Sequence, residues 1–131
     1  LLQIETIMTQ QIFIITGAFF GMLAIIFGAF GAHALKKILS DDQLKSFETG
    51  VKYQMYHAIV LLLLGFNFQF STSAMYWCFT LGIVLFSLSI YGLVLSDAKG
   101  KKIKFLGPIT PIGGLLFVAG WLLLILKAIN F

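Results

Sequence analysis

The stretch Gly113-Gly114-Leu115-Leu116-Phe117-Val118-Ala119-Gly120-Trp121-Leu122-Leu123-Leu124-Ile125-Leu126 carries no charged residue. Wound into a helix it is apolar on every face, which suits a segment solvated by lipid rather than one with a wet outer side. It closes a longer run that begins at Leu106, and three similar runs precede it: Ile12–Leu35, Phe47–Phe70 and Ala74–Leu95. A hydrocarbon core of about 30 Å needs about 20 mostly apolar residues per helix, and each run is that long. The predicted fold is therefore all-α, an integral membrane four-helix bundle of up-down topology. Its helices are expected at about 12–35, 47–70, 74–95 and 106–128, within one transmembrane domain covering 12–131. Residues 1–11 read as a short N-terminal extension, with Met8 as the expected natural start.

Composition agrees. Hydrophobic residues make up 60% of the chain and charged residues 11%, with a mean hydropathy of +1.00. Soluble domains carry about 25% charged residues, so the deficit argues against a wet globule. The single cysteine, Cys78, lies inside an apolar run and supplies neither a disulfide nor a thiolate metal site. A pI near 9.3 suggests an anionic partner, but all nine cations are lysines. Without arginine there is no bidentate grip on phosphates or base edges, so no nucleic-acid partner is expected.

The lysines instead set an orientation. Lys36, Lys37, Lys45 and Lys52 flank the first connection, and Lys99, Lys101, Lys102 and Lys104 form the third, while Gln69–Ser73 between them is uncharged. The positive-inside rule makes both lysine-rich connections cytoplasmic and both termini external, with Lys127 as the lone exception. Tyr76, Trp77 and Trp121 fall near the outer level, where amphipathic rings favour the headgroup layer, and for Trp121 a packing role is an equal expectation. Two lysines follow the first run and none precedes it, the reverse of a cleavable signal peptide.

Helices in lipid associate through close backbone approach at small residues rather than through hydrophobic burial. Gly17, Gly21, Ala24, Gly28 and Gly31 recur at steps of four and three and share one face of the first helix. Gly82 and Gly92 mark a weaker stripe on the third, and Gly113 and Gly120 share a face of the fourth. These are predicted packing positions, inside the unit or against a second membrane protein. Pro108 and Pro111 sit where the fourth helix begins, where a missing N–H costs little and the remaining free N–H groups face the cytoplasm.

Ionisable groups inside a membrane helix are functional candidates by default. On the second helix Gly50, Tyr53, Gln54 and His57 fall within about 100° of arc, a polar stripe entering from the cytoplasmic side, with His57 a turn or two inside. His33, at the inner end of the first helix, points about 160° away from the glycine stripe, so only one of the two can face the second helix squarely. Convergence of His33 and His57 would permit metal binding, haem ligation or proton relay, with Tyr53, Gln54 and Thr110 nearby. Two histidines alone make a weak metal signal, and no metal or cofactor is expected. Phosphate loops, zinc-protease helices, nucleophile elbows and dinucleotide fingerprints are all missing.

Three segments taken together resemble a known family: Gly28-Ala29-Phe30-Gly31-Ala32-His33-Ala34-Leu35, then Phe47-Glu48-Thr49-Gly50-Val51-Lys52-Tyr53-Gln54-Met55-Tyr56-His57-Ala58, then Gly107-Pro108-Ile109-Thr110-Pro111-Ile112-Gly113-Gly114 with Gly120-Trp121. The combination is similar to the YgdD-like family of small four-span membrane proteins, a domain of unknown function. The likeness covers Met8 to the end. It implies a bacterial inner-membrane protein and brings no activity, substrate or cofactor.

Three functions follow as expectations. The first is a non-enzymatic accessory or scaffold component that packs in the lipid bilayer against other membrane proteins; the partner expected besides lipid is a larger membrane protein complex or, against the scaffold reading, a homo-oligomer. The second is a ligand, cofactor or proton site at the cytoplasmic mouth around His33 and His57. The third is recognition of anionic lipid headgroups by Lys99, Lys101, Lys102 and Lys104.

Overall fold

The computed structural model describes residues 2–130, with side chains from Thr9 to Asn130. The expected start at Met8 lies outside the described side chains. The chain forms α1 (Leu2–His33), α2 (Asp41–Phe66), α3 (Ser73–Ile83), α4 (Ser89–Ala98) and α5 (Leu106–Ile129). A π turn over Val84–Leu88 joins α3 and α4 into one rod, and short 3-10 turns occupy Leu35–Lys37 and Phe68–Phe70. Among the described residues there are thus four helical rods. Three of them, Thr9–His33, Ser73–Ala98 and Leu106–Ile129, are long and apolar enough to cross a membrane.

The fourth rod, α2, differs from the expected 47–70 in extent and in character. It begins at Asp41 because Ser40 caps it. The Ser40 hydroxyl accepts from the Gln43 N–H, and the Gln43 side chain accepts from the Ser40 N–H, a reciprocal capping box. Asp41 and Asp42 in the first turn complement the positive end of the helix dipole. Leu39 and Leu44, on either side of the cap, join one cluster with Leu35, Phe47, Ile90 and Tyr91, which pins the connection to the bundle. At the far end α2 stops at Phe66, and its terminal carbonyls are taken by side chains. Asn67 Nδ2 donates to Leu63 O at 2.8 Å, Ser71 Oγ to Leu64 O at 2.5 Å and Gln10 Nε2 to Gly65 O at 2.8 Å. The third rod starts under its own cap, with Thr72 Oγ1 accepting from the Met75 N–H.

Close approach fixes the neighbours. The stripe of α1 faces α2: a Cβ on Gly17 would meet the Ala58 carbonyl, one on Gly28 the Val51 side chain and one on Gly31 the Phe47 ring. Gly65 of α2 lies against Phe13 and Ile14, so α1 and α2 run in opposite directions. Gly82 and Gly120 sit under the rings of Phe117 and Phe79, Gly92 under Leu106, and Gly113 against the backbone of Leu85 and Phe86. That last contact places α5 directly on the π turn. The core between the rods is apolar and aromatic, with Phe13, Leu61, Met75, Phe79 and Ile83 fully enclosed.

Candidate functional site

α2 carries the most buried polar chemistry, and its neighbours answer each group. Gln54 is fully buried, donating through Nε2 to the Phe20 carbonyl of α1 at 2.8 Å and accepting from the Tyr91 hydroxyl of α4 at 2.7 Å. His57, also buried, receives the Trp121 indole N–H of α5 on Nε2 at 3.1 Å. Indole nitrogen only donates, so Nε2 is the bare nitrogen, and Nδ1–H donates to the Tyr53 carbonyl at 2.7 Å. The ring lies flat on Phe117, with centroids 3.7 Å apart and planes within 5°.

The π turn is handled in the same way. Ser87 Oγ donates to the Gly50 carbonyl of α2 at 2.7 Å. Ser89 Oγ lies 2.5 Å from the Leu85 carbonyl, 2.9 Å from that of Phe86 and 2.6 Å from Thr110 Oγ1 of α5. A π turn disturbs the regular carbonyl pairing of a helix, and this hydroxyl pair supplies partners there. The Ser87–Gly50 and Ser89–Thr110 contacts tie one rod to another, so these residues act as interhelical glue.

The structure therefore groups Tyr53, Gln54 and His57 and leaves His33 and Thr110 elsewhere. His33 is exposed at the end of α1, level with Phe47, whereas His57 neighbours Ala58, which lies opposite Gly17 and Gly21. Gly21 and His33 are about 18 Å apart along the helix, so the two imidazoles do not meet. His57 also lies about 24 Å along α2 from Asp41 rather than a turn or two inside, because the cap starts the helix earlier. Tyr53 contributes its carbonyl, while its ring is partly exposed beside Phe86. Trp121, which the sequence left between the outer belt and packing, donates to His57. Among the described residues no group of three or more His, Cys, Asp and Glu side chains is placed to hold a metal ion. Tyr91, Ser87 and the role of Trp121 escaped sequence reasoning, since a lone hydroxyl or indole in an apolar run gives no local sign of its partner.

A separate cleft opens at the lysine end between the start of α2, the end of α4 and the start of α5. Its volume is about 520 Å³, and it is lined by Asp42, Asp97 and Lys102, by the hydroxyls of Ser46, Thr49 and Thr110, and by an apolar wall. Gln43 Nε2 donates to Asp97 Oδ2 at 3.0 Å and so links α2 to α4 beside it. Of the four loop lysines only Lys102 lines this space, and all four are exposed. Gly100, at φ +76°, turns the chain after α4, with the Lys101 N–H bonded to the Ser96 carbonyl and the Gly100 N–H to that of Asp97. The Ile103 N–H then donates to Ser96 Oγ, folding the lysine loop back over the helix end.

Comparison with known proteins gives a consistent set of likenesses. Residues 27–114 match the family described as "Protein of unknown function (DUF423)". A UPF0382 membrane protein of Staphylococcus haemolyticus is 44% identical over 125 residues, covering 93% of this chain and 98% of that protein. A UPF0382 membrane protein of Staphylococcus aureus is 43% identical over 125 residues with the same two coverages. The UPF0382 membrane protein YwdK of Bacillus subtilis is 38% identical over 127 residues, 93% of this chain and 99% of the relative. No solved structure matches significantly.

Proposed function

We propose, since this chain belongs to the DUF423 family and is a small membrane protein, that it is a non-enzymatic accessory or scaffold component packing against other proteins of the bacterial inner membrane. One observation carries this reading: the buried polar residues Gln54, His57, Ser87 and Ser89 are each hydrogen-bonded to a neighbouring side chain or backbone carbonyl, and among the described residues only the lone Thr80 hydroxyl is buried without a partner. A catalytic or proton-relaying site needs a group left available to substrate, and the two histidines lie apart. The outward faces of α1 and α5 carry Ile15, Phe19, Ile25, Leu115, Val118 and Ile125, which suit lipid or another membrane protein.

In this reading α2 crosses the membrane as well, giving a four-span up-down bundle like that of the YgdD-like proteins it resembles. Its polar stripe lowers its apolarity, but α1, α4 and α5 satisfy Gln54 and His57 of that stripe away from lipid. The lysine-rich connections lie at the cytoplasmic face and both termini outside, in keeping with the positive-inside rule. Purification of the tagged chain in mild detergent, followed by mass spectrometry, tests the scaffold role. Another membrane protein at fixed stoichiometry is the expected result, and recovery solely as a monomer or homo-oligomer overturns it.

A further inference from the structure

The cleft at the lysine end has a charge pattern that a purely anionic ligand does not match. Asp42 stands on the first turn of α2 and Asp97 on the last turn of α4, with Lys102 the sole cation in the lining. A further acceptor comes from covalent structure. Pro111 lies within α5 and has no N–H for the carbonyl one turn earlier, that of Gly107, and both residues line the cleft. Acceptors therefore predominate, and a lone phosphate placed here would face two carboxylates. A ligand carrying one ammonium and one phosphodiester matches better, with the phosphate toward Lys102 and the ammonium toward Asp42, Asp97 and the Gly107 carbonyl.

The remaining wall, Ile90, Leu93, Val94 and Pro111, is apolar and belongs to two rods that are apolar enough to cross a membrane. It continues the cleft from the charged end toward the membrane interior, which suits an acyl chain and not a free water-soluble headgroup. The volume of about 520 Å³ lies within the range of small-molecule sites. We infer that this cleft binds a phospholipid whose headgroup bears a primary amine. The inference goes beyond the scaffold reading and does not depend on it; it needs only that the lysine end lies at a membrane surface.

The test uses the full chain in nanodiscs made from equal parts dioleoyl phosphatidylethanolamine, phosphatidylglycerol and phosphatidylcholine, with native mass spectrometry of the lipid retained on release. The expected result is one phosphatidylethanolamine kept about tenfold over either competitor, unaffected by excess free phosphorylethanolamine. Asp42→Asn with Asp97→Asn should bring that preference close to unity while the protein stays monodisperse. Should that pair fail to fold, Asp42→Asn alone, on an exposed turn, should still lower the preference at least threefold. Preference for phosphatidylglycerol, equal retention of the three lipids, displacement by free headgroup, or indifference to Asp42→Asn each overturns the proposal.

Discussion

The indole N–H of Trp121 meets Nε2 of His57 at 3.1 Å, and this contact joins α5 to α2, two helices that are not consecutive in the chain. Because indole can only donate, the contact also fixes which imidazole nitrogen carries the proton. The ring is then held by Phe117 at 3.7 Å and by the Tyr53 carbonyl. A histidine in this setting works as a bracket between helices.

Removing the donor should weaken the bracket by a modest amount. Trp121→Phe keeps an aromatic ring and loses the N–H. Interhelical hydrogen bonds of this kind average about 0.6 kcal/mol and reach about 1.7 kcal/mol in membrane proteins. A double-mutant cycle with His57→Phe, read by SDS-induced unfolding in micelles, should return a coupling in that range. Strictly additive single costs would show that the contact contributes nothing.

Gln54 and Tyr91 form the second bracket, and both lie in the buried interior. Tyr91→Phe strands the Gln54 Oε1, and Gln54→Leu strands the Tyr91 hydroxyl, each at a cost of about 1–3 kcal/mol. Replacing both together removes donor and acceptor alike, so the double variant should be no less stable than the worse single one. The same unfolding assay checks this. A double variant that loses the sum of both penalties would contradict the pairing.

Neighbouring glycines should respond in opposite ways. A Cβ on Gly113 would strike the backbone of Leu85 and Phe86 in the π turn, where nothing can swing aside, so Gly113→Ala should cost about 1–3 kcal/mol or more. At Gly114 the nearest atom is 3.7 Å away and at Gly21 it is 3.9 Å, ordinary contact distances. Alanine at either position should be neutral or stabilise by up to about 1 kcal/mol, since it is the better helix former. Thermal melting in detergent separates the two classes, and equal losses at Gly113 and Gly114 would refute the packing described.

These contrasts show where sequence reading succeeds and where it stops. Four helical rods were legible because apolar run length is a one-dimensional property, although run length alone gave all four as membrane-crossing where three are long and apolar enough in the structure. The true start of α2 was also written in the chain, in the Ser40-x-x-Gln43 box, but hydrophobicity alone placed the boundary at Phe47. Spacing put Tyr53, Gln54 and His57 on one side of a helix, yet it carries no information about which neighbour meets them. Trp121 therefore read as a belt or packing aromatic, and nothing around Tyr91 singled it out. The π turn at Val84–Leu88 had no sequence mark at all. The glycine pressed against it lies on another helix, so only the assembled bundle shows the contact.

The placement of α2 across the bilayer yields the last expectation. If α2 crosses, the connections on either side of it lie on opposite faces of the membrane; if it lay along one surface, they would share a face. In a Cys78→Ser background, Lys36→Cys, Gln69→Cys and Lys101→Cys place single thiols at three exposed positions, one in each connection. A membrane-impermeant maleimide applied to intact cells should label the Gln69 position alone, with Lys36 and Lys101 reacting only after permeabilisation. The eight lysines at one end make that orientation the favoured one, because cytoplasmic loops accumulate Lys and Arg. Labelling of Lys36 and Gln69 from the same side would mean that α2 does not cross. Its polar groups would then sit at the interface, where water competes with the Trp121 and Tyr91 hydrogen bonds.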